Sequence, residues 1–280
     1  MKLLTLNTHS LVGEDAAERA ASLADALIRE VPDLIALQEV SQSRAAATVR
    51  RRPSGYLPCQ KEIPLRADNC ALELVNRLVE AGLFYHWCWL PVKVGYDRFD
   101  EGLAILARFP VDGATVLSLS RKNDYQSWKT RKALLLHGTD TDCWFCNLHT
   151  GWWDDEEEPF EPQFQRLLEG LPLNHTVFLL GDTNNPAELR GEGYDRIICA
   201  GFYDSFRLAR TRYGEETIRG EVDGWRGRAV GRDRFRVDQI FCNRRVSVPL
   251  YRTVFDGRDL PVVSDHFGVL VTVESVGGSI

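Results

Sequence analysis

Residues 176–186 read Thr-Val-Phe-Leu-Leu-Gly-Asp-Thr-Asn-Asn-Pro. A short, fully apolar strand, Thr176–Leu180, runs straight into Gly181, Asp182 and Asn184. Side chains two apart in an extended segment point to the same side, so Asp182 and Asn184 face one site. Three other strand ends carry similar groups. Leu6-Asn7-Thr8 closes a strand at Lys2–Asn7, and Gln38-Glu39-Val40 closes one at Leu34–Gln38. Ser264-Asp265-His266 precedes one at Phe267–Val273. Working outward, Tyr85–Val92, Gly102–Ala107, Ala114–Ser120, Lys132–His137, Cys143–His149 and Arg236–Asn243 read as further strands. Ala16–Glu30 reads as a helix, with Leu23, Ala24 and Leu27 on one face and Pro32 beyond its end. Ala71–Ala81, closed by Gly82, and Gln163–Gly170 read as two more. Residues 41–68 are loop-rich. No Pro/Gly/Ser-rich linker divides the chain. The pattern predicts one α/β domain with mixed sheets over residues 1–274 and a tail at 275–280.

The composition is that of a globular chain: 44% hydrophobic, 26% charged and a formal net charge of −6. The acidic balance argues against a protein whose affinity comes mainly from nucleic-acid phosphates. Met1–Lys2 lead directly into a strand with no leader pattern, and no apolar run reaches the length of a membrane span. The seven cysteines are odd in number and irregularly spaced, which reads as reduced thiols and a cytoplasmic location. Cys143-Trp144-Phe145-Cys146 lacks a second cysteine pair and reads as structural rather than as a zinc site.

The strand-end groups have a common chemistry. Mg²⁺ takes hard oxygen ligands, often one or two carboxylates plus water and a substrate phosphate. Each motif alone is weak, because a Gly-Asp-x-Asn loop is usually a turn. Their order is informative. Leu6-Asn7, Gln38-Glu39, Glu101-Gly102-Leu103-Ala104, Asn147-Leu148-His149, Gly181-Asp182-Thr183-Asn184, Arg236-Val237-Asp238-Gln239-Ile240 and Ser264-Asp265-His266 span nearly the whole chain. In this the sequence resembles the endonuclease/exonuclease/phosphatase superfamily, which includes DNase I-like nucleases, exonuclease III-like repair enzymes, inositol polyphosphate phosphatases and neutral sphingomyelinases. The resemblance implies a DNase I-like four-layer sandwich: two mixed β-sheets packed face to face, with helices outside. It implies Glu39 as the principal Mg²⁺ ligand, with Asn7 and Asp265 near the metal. Mn²⁺ would serve in the same oxygen site. It further implies that Asp182 orients or deprotonates the attacking water, and that Asn184 holds that water or the phosphoryl oxygens. His266 paired with Asp238, and His149 paired with Glu101, would form two histidine–carboxylate couples. Such pairing keeps an imidazole cationic, and phosphate-ester hydrolysis needs positive charge on the phosphoryl oxygens.

The substrate class is less directly written. Arg131 lies before a strand where it could reach a phosphate. Trp152 and Trp153, followed by the acidic run Asp154–Glu158, directly follow His149. Five carboxylates there would repel a polyanion within about a Debye length of 8 Å. The two indoles read either as packing or as a flat platform for a sugar, with Tyr96, Trp128 and Trp225 as further walls. Gly95–Ala104 and Gly151-Trp152-Trp153-Asp154 are similar to the maltose 6′-phosphate phosphatase group of bacterial proteins. That resemblance implies a small phosphorylated carbohydrate as partner; the net charge and the acidic run argue against nucleic acid, and the lack of a long apolar run against a membrane. The alternative is a Mg²⁺-dependent nuclease with the same catalytic set.

Overall fold

The computed structural model describes residues 1–220, 225 and 233–274; the tail read at 275–280 lies outside them. In chain order the elements are β1 (Lys2–Asn7), α1 (Ala16–Glu30), β2 (Leu34–Ser43), α2 (Cys70–Glu80), β3 (His86–Gly95), β4 (Phe99–Ala107), β5 (Val111–Ser118), β6 (Lys132–Gly138), β7 (Cys143–His149), α3 (Phe160–Gly170), β8 (Thr176–Asp182), α4 (Gly193–Cys199), β9 (Tyr203–Asp204), α5 (Ser205–Leu208), β10 (Ala209–Tyr213), β11 (Ile218–Arg219), β12 (Arg234–Phe235), β13 (Asp238–Cys242), β14 (Val248–Val254) and β15 (Gly268–Thr272). One large sheet has seven strands in the order β10-β14-β15-β1-β2-β4-β3, a second has six in the order β5-β6-β7-β8-β13-β9, and β11 and β12 form a small antiparallel pair. Both large sheets are mixed: β1–β2, β10–β14 and β7–β8 run parallel, and the remaining neighbours antiparallel.

Three apolar layers separate four structural ones. Leu3, Ala36, Leu90, Ile105, Phe145, Phe178, Ile240 and Val271 fill the space between the sheets. Leu4, Leu6, Ile35, Leu37 and Leu106 pack outward against Leu23 and Leu27 of α1 and Leu74 and Leu78 of α2. Cys146, Leu148, Val177 and Leu179 pack outward against Phe164 and Leu167 of α3 and Ile197 of α4. The order is helix, sheet, sheet, helix, the DNase I-like sandwich. Cys143 faces the inter-sheet layer and Cys146 the outer one, so the C-x-x-C pair cannot share an ion. Among the described residues no helix is long and apolar enough to cross a membrane.

Local chemistry sets the element ends. α1 stops at Val31, whose left-handed backbone sends its N–H to Leu27 O at 2.8 Å, and Pro32 follows. Asn69 caps α2 by accepting from the N–H groups of Ala71 and Leu72. Several elements extend beyond the sequence reading. β2 continues to Ser43 through a bulge at Gln38–Glu39, and α3 begins at Phe160. β14 was not anticipated, because Pro249 and Arg252 interrupt its apolar pattern.

The period of two places the polar ends. The inward columns Leu3-Thr5-Asn7, Leu34-Ala36-Gln38, Cys143-Phe145-Asn147-His149, Phe178-Leu180-Asp182 and Asp238-Ile240-Cys242 each pass from apolar to polar toward one end of the sandwich. Asn147 joins the two sheets there. Its Oδ1 accepts from Gln38 Nε2 at 2.7 Å, and its Nδ2 donates to Leu37 O and Ala104 O, both at 2.8 Å. Asn147→Ala takes the side-chain donor away from two buried carbonyls and one acceptor away from Gln38, whose amide keeps Thr5 Oγ1 and Ala36 O. It is expected to cost about 2–4 kcal/mol, read from urea denaturation. A loss below about 1 kcal/mol would show that the cross-sheet link is replaceable.

Candidate active site

Strand register builds the floor. His149 on β7 lies opposite Asp182 on β8, which lies opposite Asp238 on β13. All three are buried. Asp182 is the hub. Its Oδ1 accepts the Asn184 N–H at 2.8 Å, and its Oδ2 accepts from Asn7 Nδ2 at 3.2 Å. His149 Nε2 and His266 Nε2 stand 3.5 and 3.9 Å from the same Oδ2. Burial and the neighbouring Asp238 push the Asp182 carboxyl up to about 7.

His266 is held from two sides. Its Nδ1 lies 2.8 Å from Asp238 Oδ2, and its backbone N–H donates to Ser264 Oγ at 3.2 Å. Burial opposes its charge, but Asp238 overrides burial and raises His266 to about 10. Thr217 fixes the couple: its Oγ1 accepts from the N–H groups of Val237 and Asp238, and its carbonyl accepts the Phe267 N–H at 2.7 Å. No motif pointed to Thr217, because its partners come from two distant segments.

The second couple differs from the expectation. Glu101 pairs with Lys93, its cross-strand partner on β3, at 3.1 Å, and not with His149. His149 instead faces Asp182 and, at 4.0 Å, Glu39. Burial and the Arg131 charge hold it well below the usual imidazole range, so His266 is the cationic histidine of the floor and His149 the neutral one.

Glu39 occupies the β2 bulge with φ +53°, a backbone that turns its carboxylate into the cleft. Burial works against its ionisation, yet His9, His149 and Lys93 hold it well below the usual carboxylate range. Glu39 Oε2 and Asp265 Oδ2 lie 3.3 and 3.9 Å from His9 Nδ1, so two hard carboxylates converge on one point. Asn7 stands beside them. Its Nδ2 donates to Glu39 Oε1 at 3.0 Å and its Oδ1 accepts the His9 N–H at 3.2 Å, so it braces the carboxylates rather than turning its oxygen to a cation. His9 also belongs to this end of the site. Asp182, Asp238 and His266 bring one donor atom each within 4.8 Å of one another. Asp238 is committed to His266 there, so Glu39 and Asp265 are the better oxygen donors for a divalent cation.

These groups line a cleft of about 440 Å³. Arg131 lies in its wall, 3% exposed, with Nη1 donating to Trp128 O at 3.2 Å, Nε without a hydrogen-bond partner and no ion pair among the described residues. Trp152 and Trp128 meet edge to face at 6.0 Å, and both line the cleft. Trp153 does not share that platform; it packs toward Phe160 of α3. Trp225 packs behind Trp152 against Phe235. The acidic run is also largely committed. Asp155 and Glu157 bind Lys129 at 3.1 and 2.9 Å, and Glu158 accepts the N–H groups of Arg121 and Lys122. None of the five carboxylates lines the cleft, and three of them are tied into their own loop, so the expected barrier is not built at the mouth, although in these contacts only Lys129 offsets their charge.

Residues 4–266 match the model of the endonuclease/exonuclease/phosphatase family, and the chain belongs to that family. Its members are hydrolases of phosphoesters and generally depend on a divalent metal. Among solved structures it is similar to a family protein from Leptotrichia buccalis at 24% identity and TM-score 0.83, covering 98% of this chain and 99% of that one. A mannosyl-6-phosphatase of Bacteroides thetaiotaomicron follows at 19% identity and TM-score 0.67, with coverage of 98% and 99%. TDP2 of D. rerio, in complex with a single-strand DNA product, is similar at 16% identity and TM-score 0.61, covering 98% of both chains. No curated protein matches the chain.

Asp238→Asn should lower kcat by about 10²–10⁴ with a smaller change in KM, because the carboxylate orients His266. His266→Ala should cost about as much, and the double variant little more. Additive losses, read from steady-state phosphate release, would show that the two do not act as a unit.

Proposed function

We propose that the protein is a Mg²⁺-dependent phosphomonoesterase of a small phosphorylated sugar, with a disaccharide phosphate such as maltose 6′-phosphate favoured. Mn²⁺ would serve in the same oxygen site. The observation that carries this reading is Arg131: a buried guanidinium, unpaired with any described carboxylate, facing a cleft walled by Trp128 and Trp152. A buried cation is costly unless an anion joins it, and a guanidinium grips phosphate oxygens well. About 440 Å³ suits a drug-sized or disaccharide-sized ligand. Both sheets contribute to the cleft, which supports treating residues 1–274 as one domain. Seven free cysteines support a cytoplasmic setting.

In this reading Glu39 and Asp265 would hold the cation, which when bound would supply charge neutralisation at the phosphoryl oxygens and lower the pKa of water. Asp182 takes a proton from the attacking water at Oδ2 while the water oxygen bonds to phosphorus and the phosphorus bond to the sugar oxygen breaks; the sugar leaves as an alcohol, its oxygen protonated from solvent. Asn184, 4% exposed at the cleft floor, holds that water or a phosphoryl oxygen. His266, with Nδ1 committed to Asp238, offers its Nε2–H to a phosphoryl oxygen. Arg131 holds the remaining oxygens and the phosphate as it leaves.

A nuclease remains the second reading, favoured by the likeness to a DNA-bound TDP2 fold and by the committed acidic loop. A paired assay separates them. Phosphate release from a panel of sugar phosphates, without nicking of supercoiled plasmid, is the expected outcome, abolished by EDTA and restored by Mg²⁺. Nicking without phosphate release would overturn it. Arg131→Met should lower kcat/KM for the best sugar phosphate by about 10²-fold or more.

A further inference from the structure

The tip of the β3–β4 hairpin is a tight turn, Gly95-Tyr96-Asp97-Arg98, closed by Arg98 N–H donating to Gly95 O at 3.2 Å. Its central residues have φ +49° and +58°. Two positive φ values at the centre define a type I′ turn, the class that favours Asn-Gly, Asp-Gly or Gly-Gly. Tyr96 and Asp97 both carry a Cβ into this region, and Tyr96 has no short polar side chain to offset the crowding. A hairpin selected for stability alone would use a different pair. Among the described residues nine non-glycine residues adopt positive φ, and five of them line the cleft: His9, Glu39, Tyr96, Asp97 and Asn184. Backbone strain of this kind persists where the site needs it.

The strained pair is aimed at the cleft. Tyr96 is half exposed, and its ring meets the His9 ring edge to face at 6.2 Å, above the end of the site held by Glu39 and Asp265. Trp128, 53% exposed, lines the same cleft together with Gln126. The segments carrying Tyr96 and Trp128 are tied to each other. Val94 N–H donates to Tyr125 O at 2.9 Å, and Tyr125 OH donates to Asp100 Oδ1 at 2.9 Å. Their spacing is therefore set by β3 and β4 rather than by free loops.

We infer that the Tyr96–Asp97 turn is the specificity element of the cleft, reading an uncharged, polyhydroxylated group next to the phosphate. An aromatic face takes the C–H face of a sugar ring, and a carboxylate accepts from its hydroxyls. The same carboxylate disfavours a second phosphate at that place, which selects against bisphosphates and polynucleotides. The inference rests on the sugar-phosphate reading above and deepens it.

The test replaces the strained pair by the favoured one. In Tyr96→Asn/Asp97→Gly the melting temperature rises by a few degrees. The ratio of kcat/KM for maltose 6′-phosphate, or the best sugar phosphate of the panel, to that for p-nitrophenyl phosphate falls at least about tenfold. Asp97→Asn keeps a residue that tolerates the left-handed backbone. It raises KM for the sugar phosphate more than it changes kcat, and it improves relative turnover of fructose 1,6-bisphosphate. An unchanged ratio in both variants overturns the inference alone. So does a double variant that melts below the wild type, since the turn then stores no strain. Wild-type protein that releases phosphate from no sugar phosphate overturns the inference and the functional reading together.

Discussion

Everything at the working end of this molecule follows from crowding acids into the mouth of an apolar sandwich. Glu39, Glu101, Asp182, Asp238 and Asp265 stand together where the inter-sheet core ends, and all but Glu39 and Asp265 are buried. Charges so placed repel one another strongly unless countercharge is built in. The fold supplies it in order. His266 answers Asp238 and Lys93 answers Glu101, while Glu39 and Asp265 approach the His9 ring nitrogen at 3.3 and 3.9 Å. Asp182 has hydrogen bonds but no close fixed cation except the far nitrogen of His266 at 3.9 Å. In the proposed reading a divalent ion would add the charge that Glu39 and Asp265 call for, and Arg131, which has no ion pair among the described residues, would meet an anionic substrate.

The sandwich makes that crowding affordable by stiffness. Asn147 and Gln38 join the sheets through a buried amide pair just below the acids, and Thr217 ties the Asp238 strand to the His266 segment. These links keep carboxylates from relaxing apart, as they would in a softer loop site. A constellation held on strand ends is positioned by register, and register shifts only in whole residues.

That dependence on register explains what the sequence could and could not reveal. Asn7 and Asp182 were legible as polar groups at the ends of apolar strands, and Asp238 through the family motif Arg236–Ile240. The fold class was legible because apolar strands and amphipathic helices alternate along the whole chain. Lys93 was not legible: it sits in an apolar run, and only the β3–β4 pairing sets it opposite Glu101. The same pairing takes Glu101 away from His149. His9 was missed because a left-handed residue following a strand breaks the period on which the reading relied. Trp152 and Trp153 were read together as neighbours. Adjacent residues diverge when the chain turns, and one went to the cleft while the other went to α3. The acidic run looked like free charge because its partners, Lys129, Arg121 and Lys122, lie some thirty residues away in sequence.

Strain and charge occupy the same region for a related reason. Strand geometry delivers side chains at fixed spacing and perpendicular to the sheet, which builds a floor but cannot turn groups toward one another. Converging ligands need backbone that leaves the strand, and a residue in the left-handed region does so within a single position. Glu39 does this at a bulge, Asn184 just past the end of β8, and Tyr96 and Asp97 at the hairpin tip. The first two turn into the cleft, where the proposed reaction would dictate the residue type. At the hairpin tip no reacting atom does so, and the residues most favoured by the turn are absent. What holds Tyr96 and Asp97 there must be something that enters the cleft from outside, and the chemistry of a phenol ring beside a carboxylate describes that visitor as hydroxylated and uncharged at its outer end.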